Sequence, residues 1–142
     1  MLISTKGRYA LRVMIDLAEH QGMGYIPLKE IAKRQEISEK YLESIIKLLV
    51  KEHFLAGARG KGGGYQLTRA PSEYPVGDIL RLTENTLAPV ACLEANAVCP
   101  RMSDCKTFPI WKGLEQVVNE YLDRFTIDDL IQQSEPGNDY VI

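Results

Sequence analysis

Ser38-Glu39-Lys40-Tyr41-Leu42-Glu43-Ser44-Ile45-Ile46-Lys47-Leu48-Leu49-Val50-Lys51, followed shortly by Arg59-Gly60-Lys61-Gly62-Gly63-Gly64, decides the fold of this chain. Ser38 is a good helix cap, and the spacing predicts a helix from Glu39 to about His53. Leu42, Ile45, Ile46 and Leu49 share one face of that helix; Glu39, Lys40, Glu43, Ser44, Lys47 and Lys51 share the other. Phe54-Leu55-Ala56-Gly57-Ala58 and Tyr65-Gln66-Leu67-Thr68 then read as two short strands around a glycine-rich tip, a β-hairpin. Five of the 11 glycines lie between Gly57 and Gly64, so the tip needs unusual backbone angles or a close approach to something else.

Toward the amino terminus, Tyr9, Val13, Met14, Leu17 and Ala18 make one face of a helix over Thr5–Gln21, capped by Ser4 or Thr5 and ended by Gly22 and Gly24. A shorter helix from Pro27 to Gln35 turns Leu28, Ile31 and Ala32 inward, and Glu36-Ile37-Ser38 is a tight connection to the decisive helix. Two helices, a tight turn, a longer helix and a hairpin are the order of a winged helix-turn-helix with a two-stranded wing, in a mainly α chain. The major groove of DNA admits one helix, and residues near its start reach base edges: here Lys40, Tyr41, Glu43 and Ser44. Lys47 and Lys51 are placed to neutralise phosphates, and Arg59, Gly60 and Lys61 form a slim basic tip suited to the minor groove. The competing readings are a solvated face for Lys47 and Lys51 and a core position for Tyr41. A Walker phosphate loop is excluded, because Gly60-Lys61 is followed by Gly62 rather than Ser or Thr.

The 142 residues are 45% apolar and 25% charged, an ordinary globular composition with no run long enough to cross a membrane. No signal peptide is visible, so a cytoplasmic location is expected. The net charge of −2 argues against nucleic acid only as an average. Residues 1–70 hold 12 Lys and Arg against 7 Asp and Glu; residues 71–142 hold 5 against 12. A basic working surface is joined to an acidic remainder.

That remainder begins with Pro71 and Pro75, which open a short helix through Gly77, Ile79, Leu80 and Leu82. Residues 84–107 are irregular and hold all three cysteines, Cys92, Cys99 and Cys105, inside 14 residues. An odd count argues against a disulfide framework. A last long helix, Pro109 to Arg124, carries Trp111, Leu114, Val118, Tyr121 and Phe125 at the 3-4 spacing of a helix–helix seam. Dimerisation is the favoured reading, an internal core helix the other. Thr126 caps a final helix, Ile127–Gln132. The expected organisation is a DNA-reading domain (1–83), a cysteine-containing sensor loop (84–108), the dimerisation helix with the final short helix (109–133) and a flexible tail (134–142).

Ser4-Thr5-Lys6-Gly7-Arg8-Tyr9-Ala10-Leu11, Pro27-Leu28-Lys29-Glu30-Ile31-Ala32, Ile37-Ser38-Glu39-Lys40-Tyr41-Leu42-Glu43 and Arg59-Gly60-Lys61-Gly62-Gly63-Gly64-Tyr65-Gln66-Leu67 together resemble the Rrf-type family of bacterial transcription regulators. The resemblance covers about residues 1–133. It implies a homodimer with a crossed long helix that binds a pseudo-palindromic operator, in which Tyr41, Glu43 and Ser44 face bases and Arg59 enters the minor groove. Three cysteines between the short helix and the long one resemble the iron–sulfur-sensing branch typified by IscR and NsrR, rather than the cysteine-metabolism regulator CymR. They imply a cluster on Cys92, Cys99 and Cys105, with [2Fe–2S] favoured over [4Fe–4S].

The chain departs from that branch in two ways. Six residues separate Cys92 from Cys99, where those relatives usually have five. The position of the further ligand is Phe108 by one pattern and Arg8 by the other, and neither is a conventional ligand. Glu94, Asp104, solvent, a small thiol or a residue of the partner subunit remain open for that role. The alternatives for the thiols are unligated or redox-active cysteines and a zinc site, for which the spacings are wide. A cysteine enzyme would need a nearby base, and both histidines, His20 and His53, lie in the other half, so no catalytic site is expected. The competing function is a cluster-free winged-helix repressor controlled by a partner protein or by thiol redox state.

Overall fold

The computed structural model describes residues 3–133; the tail expected beyond them lies outside the described residues. Six α-helices and one two-stranded antiparallel sheet make up the regular structure of that span: α1 (Thr5–Glu19), α2 (Leu28–Gln35), α3 (Glu39–Lys51), β1 (Leu55–Ala58), β2 (Gly64–Leu67), α4 (Val76–Thr83), α5 (Phe108–Arg124) and α6 (Ile127–Gln132). This is the mainly helical winged helix-turn-helix that the sequence pattern predicts.

Each boundary has a local cause. The Ser4 hydroxyl accepts the Gly7 N–H at 3.1 Å and starts α1. The chain leaves α1 through Gly22 and Gly24, both at positive φ (87° and 76°), two residues earlier than the apolar stripe suggests. Glu36 takes the left-handed conformation (φ 55°) that makes the α2–α3 turn tight, and Ser38 accepts the Tyr41 N–H at 3.2 Å to start α3. His53, also at positive φ (63°), lies beyond the end of α3, which closes at Lys51 rather than His53.

The core is built on α1 and α3. Val13, Met14, Ile31, Leu42, Ile45 and Leu49 are fully buried, so the stripe predicted for α3 is the stripe that packs. The wing pairs Leu55 with Leu67 and Ala58 with Gly64. Ile26 adds a one-residue bridge to Tyr65, with N–H···O distances of 2.9 and 2.8 Å in the two directions. Gly64 is required there, because a Cβ would stand 2.2 Å from the Ile26 carbonyl oxygen. After α5 the chain returns to this body. Val76 donates to the Phe125 carbonyl at 2.8 Å, Ile127 donates to Tyr74 at 3.0 Å, and Ile127 is fully buried in the main core.

Candidate nucleic-acid interface and cysteine loop

The buried stripe of α3 leaves its other face to solvent. Lys40, Glu43, Ser44, Lys47 and Lys51 are exposed, and Tyr41 is 38% exposed. Tyr41 is therefore not a core residue; its ring leans on Tyr9 of α1, with centroids 5.7 Å apart and tilted planes. The Ser44 hydroxyl donates to the Tyr41 carbonyl at 2.7 Å, and Lys47 pairs with Glu43 at 3.3 Å one helical turn away.

Between the carboxyl-terminal half of α3 and the wing lies an open groove of about 420 Å³, and Lys47, Lys51 and Arg59 all line it. Three cations on one concave surface suit a polyanion better than an apolar ligand. Gly60 and Gly62 take positive φ (87° and 78°), and Gly63 donates to the Gly60 carbonyl at 2.9 Å, so the tip turns tightly and leaves Arg59, Gly60 and Lys61 exposed. A Cβ on Gly63 would meet the Ala58 carbonyl oxygen at 2.4 Å. The structure thus brings Lys47, Lys51 and Arg59 together. Lys40, Tyr41, Glu43 and Ser44 stand on the first turns of α3, and Lys61 on the tip.

Two supports of this surface escape the sequence pattern. Asp16 is 1% exposed on the inward stripe of α1. Arg34 of α2 donates to its two carboxylate oxygens at 2.8 and 3.0 Å, and Gln35 donates at 2.9 Å. Burial alone pushes the Asp16 carboxyl up, but the bonds from Arg34 and Gln35 and the charge of Arg34 outweigh it and hold the group below its ordinary value. The signal in the sequence is an acidic residue amid Val13, Met14 and Leu17, which demands a partner. The second support is Tyr74, fully buried at the base of the wing. Its hydroxyl accepts the N–H groups of Thr68 (2.9 Å) and Arg69 (3.0 Å) and donates to the Phe54 carbonyl (2.8 Å).

Cys92 lies in a single 3-10 turn (Ala91–Leu93), Cys99 in the loop beyond it, and Cys105 just ahead of α5. All three are free and half-buried. Cys105 Sγ lies 3.2 Å from the Thr107 hydroxyl. That hydroxyl, with the N–H groups of Thr107 and Phe108, holds the Cys105 thiol below its ordinary value and so favours thiolate. Glu94 and Asp104 are exposed, Asp104 accepting from Ser103 at 2.9 Å. Arg8 is turned to the Thr5 hydroxyl (3.1 Å), and Phe108 opens α5. Among the described residues, no three His, Cys, Asp or Glu side chains are gathered closely enough to hold a metal ion. The fit to an iron–sulfur cluster is one of donor chemistry and of place in the chain: three thiols, the natural ligands of such clusters, confined to one loop.

The helix after that loop is unlike those before it. No residue of α5 is buried, and Ile110, Leu114, Val117 and Tyr121 are 42–66% exposed. Its attachment to the body formed by residues 3–83, the head, is partly polar. Arg81 of α4 donates to Asn119 at 2.8 Å and pairs with Asp123, while Leu122 and Phe125 pack on Val76, Leu80 and Leu87.

With this geometry in hand, comparison with known proteins is decisive. The family model named Rrf2, described as iron-dependent transcriptional regulator, matches residues 3–133. The chain belongs to the Rrf2 family. It is 39% identical to protein rrf2 of Nitratidesulfovibrio vulgaris over 134 residues, 94% of this chain and 89% of that protein. It is 35% identical to the HTH-type transcriptional regulator IscR of Sodalis glossinidius, over 95% of this chain and 81% of that one. Among solved structures it superposes on CymR, the global cysteine regulator of B. subtilis, with a TM-score of 0.79 at 35% identity, covering 95% of this chain and 99% of that one. T. potens IscR gives 0.76 at 36% identity, covering 95% and 89%. This Rrf2-family chain is a DNA-binding transcription regulator and not an enzyme. No described helix is long and apolar enough to cross a membrane.

Proposed function

We propose that this Rrf2-family regulator works as a cytoplasmic homodimer on a pseudo-palindromic operator, its DNA binding controlled by an iron–sulfur cluster on Cys92, Cys99 and Cys105. The observation that carries the cluster is the placing of all three thiols, half-buried, in the one loop joining the reading head to a helix with an exposed apolar face. A bound cluster would supply a redox-responsive group tuned by its ligands, burial and hydrogen bonds; [2Fe–2S] is the favoured type.

The chain's own residues provide the rest. In the first turns of α3, Lys40, Tyr41, Glu43 and Ser44 face bases in the major groove. Lys47 and Lys51 neutralise phosphates, and Arg59, Gly60 and Lys61 enter the minor groove. Residues 109–133 supply the dimer contact through Leu114, Val117 and Tyr121, so that two heads face two half-sites. The loop, 84–108, is tied to the head at its start: Glu84 accepts from the Ser4 N–H (2.9 Å) and hydroxyl (2.7 Å) at the cap of α1. It ends at Cys105, ahead of α5. Drawing the three thiols together would order this segment and bias how α5, and with it the partner head, sits against its own head.

Anaerobic purification followed by visible and Mössbauer spectroscopy, with iron and sulfide analysis, tests this. A coloured protein with stoichiometric iron and sulfide is expected; a colourless, iron-free protein after reconstitution refutes it. A second reading, a cluster-free regulator answering to a partner protein or to thiol redox state, is favoured by one observation: no three ligands are gathered among the described residues. A stoichiometric protein partner and DNA binding indifferent to iron would establish it.

A further inference from the structure

Tyr41 stands alone among the expected base-reading residues in resting its ring on another element of the fold. Its support, Tyr9, is half-buried on α1, with the ring centroid 5.7 Å from that of Tyr41. Tyr9 is itself backed. The Arg12 guanidinium lies over its ring, 5.1 Å from the centroid. Arg12 does not swing freely, because Nε donates to the Gln35 side-chain oxygen at 3.1 Å and Nη2 donates to the Gln35 backbone carbonyl. That carbonyl is at the last residue of α2, next to the left-handed Glu36 that makes the helix-turn-helix corner. The other end of the Gln35 amide is tied to the buried Asp16 carboxylate at 2.9 Å. A continuous set of contacts therefore runs from Asp16 through Gln35, Arg12 and Tyr9 to Tyr41. It spans all three helices of the reading unit and ends on a side chain 38% exposed on the DNA-facing side of α3.

We propose that Tyr9, backed by Arg12 and Gln35, is a positioning residue for sequence reading: it fixes the Tyr41 ring in one orientation before DNA arrives and so raises discrimination between operator and other DNA. This rests on the reading of α3 as the base-contacting helix. A tyrosine has few side-chain torsions to fix, and fixing them in advance removes the ordering cost from the specific complex. Non-specific binding, carried by phosphate contacts, does not need that orientation. Tyr9 touches no phosphate in this account; it acts through Tyr41 alone.

The test uses the full chain and two probes: a duplex that the protein itself selects from a random-sequence pool, and a scrambled duplex of equal length. Tyr9→Leu should weaken binding to the selected duplex about 3- to 10-fold, the scale of one oriented aromatic contact, and leave the scrambled duplex within about twofold. Tyr9→Phe should restore the wild-type ratio. Arg12→Lys, which keeps the charge but loses the fork onto Gln35, should lower the ratio in the same direction without changing the salt dependence. In a Tyr41→Ala background, Tyr9→Leu should have no further effect. Equal weakening of both duplexes, a lowered salt slope for Arg12→Lys, or additive losses in the double variant would each overturn the proposal while leaving α3 as the reading helix. If Tyr41→Ala binds the selected duplex as wild type does, both the proposal and the assignment of Tyr41 to bases fail.

Discussion

The head and the cysteine-bearing half of this chain solve opposite problems. In the head, α3 buries a continuous apolar face and α1 an apolar face whose one charge, Asp16, is paired; Tyr74 satisfies three backbone groups at the base of the wing, and no buried side-chain nitrogen or oxygen among the described residues lacks a partner. Beyond Glu84, three thiols sit half-buried in an irregular loop, and α5 displays Ile110, Leu114, Val117 and Tyr121 to solvent. A closed core holds one arrangement, whereas half-buried thiols in an irregular loop and an open apolar face leave an arrangement to be set by what binds them. On the proposed function, the closed core stands where DNA is read, and the open surface where control is exerted.

The sharpest way to break this contrast is to truncate one apolar side chain in each region. Ile45→Ala, at a fully buried site, should cost about 2–5 kcal/mol in denaturant unfolding. Leu114→Ala, 42% exposed, should leave unfolding of the single chain within about 0.5 kcal/mol yet shift sedimentation toward monomer. Equal effects of the two on the single chain would erase the distinction.

Next in size are the polar supports of the head. Tyr74→Phe strands the N–H groups of Thr68 and Arg69 and leaves the Phe54 carbonyl only the 3.3 Å bond from the Thr68 hydroxyl; it should cost about 1–3 kcal/mol, with faster hydrogen exchange at Thr68 and Arg69. Asp16→Asn should cost a similar amount, about 1–3 kcal/mol, because Arg34 loses its carboxylate partner. The pH dependence of that cost has a definite sign. The folded-state pKa of Asp16 lies below its ordinary 3.8, so the stabilisation is fully present above that value and is lost as pH falls through the lower, folded-state one. The gap between wild type and Asp16→Asn should be constant above about pH 5 and narrow below about pH 4. A gap that widens on acidification would contradict the ion pair.

The smallest stability effect is expected where the functional effect is large. Cys92→Ala, Cys99→Ala and Cys105→Ala should each change head unfolding by less than about 0.5 kcal/mol. The same variants should abolish iron retention and alter operator affinity.

The two regions also differ in how legible they are. Ser38 capping α3, the stripe Leu42–Ile45–Ile46–Leu49, the glycine tip and Thr126 capping α6 are encoded within a few residues of where they act, and local periodicity and capping chemistry reveal them. Asp16 needs Arg34, 18 residues away, and Tyr74 needs the backbone of Phe54, 20 residues away, so neither pairing has a local signature. The return of α6 to bury Ile127 in the head core is likewise a tertiary event. The side-chain pattern picks out the solvent-facing residues of α3, but not that Tyr41 rests on Tyr9. The thiols are plain in the sequence; a further ligand beside them is not, because Phe108 and Arg8, the two positions to which the resemblance points, carry no conventional ligand, and Glu94 and Asp104 are exposed.

In the proposed function, the loop of Cys92, Cys99 and Cys105 sets how tightly the head binds DNA. This is tested most directly by measuring operator affinity of the anaerobically reconstituted protein before and after iron removal, with Cys99→Ala alongside. A change of about tenfold or more is expected in the wild type, on the scale of an ordinary coupling energy, and none in Cys99→Ala. Equal affinity of the loaded and stripped wild-type protein would contradict it.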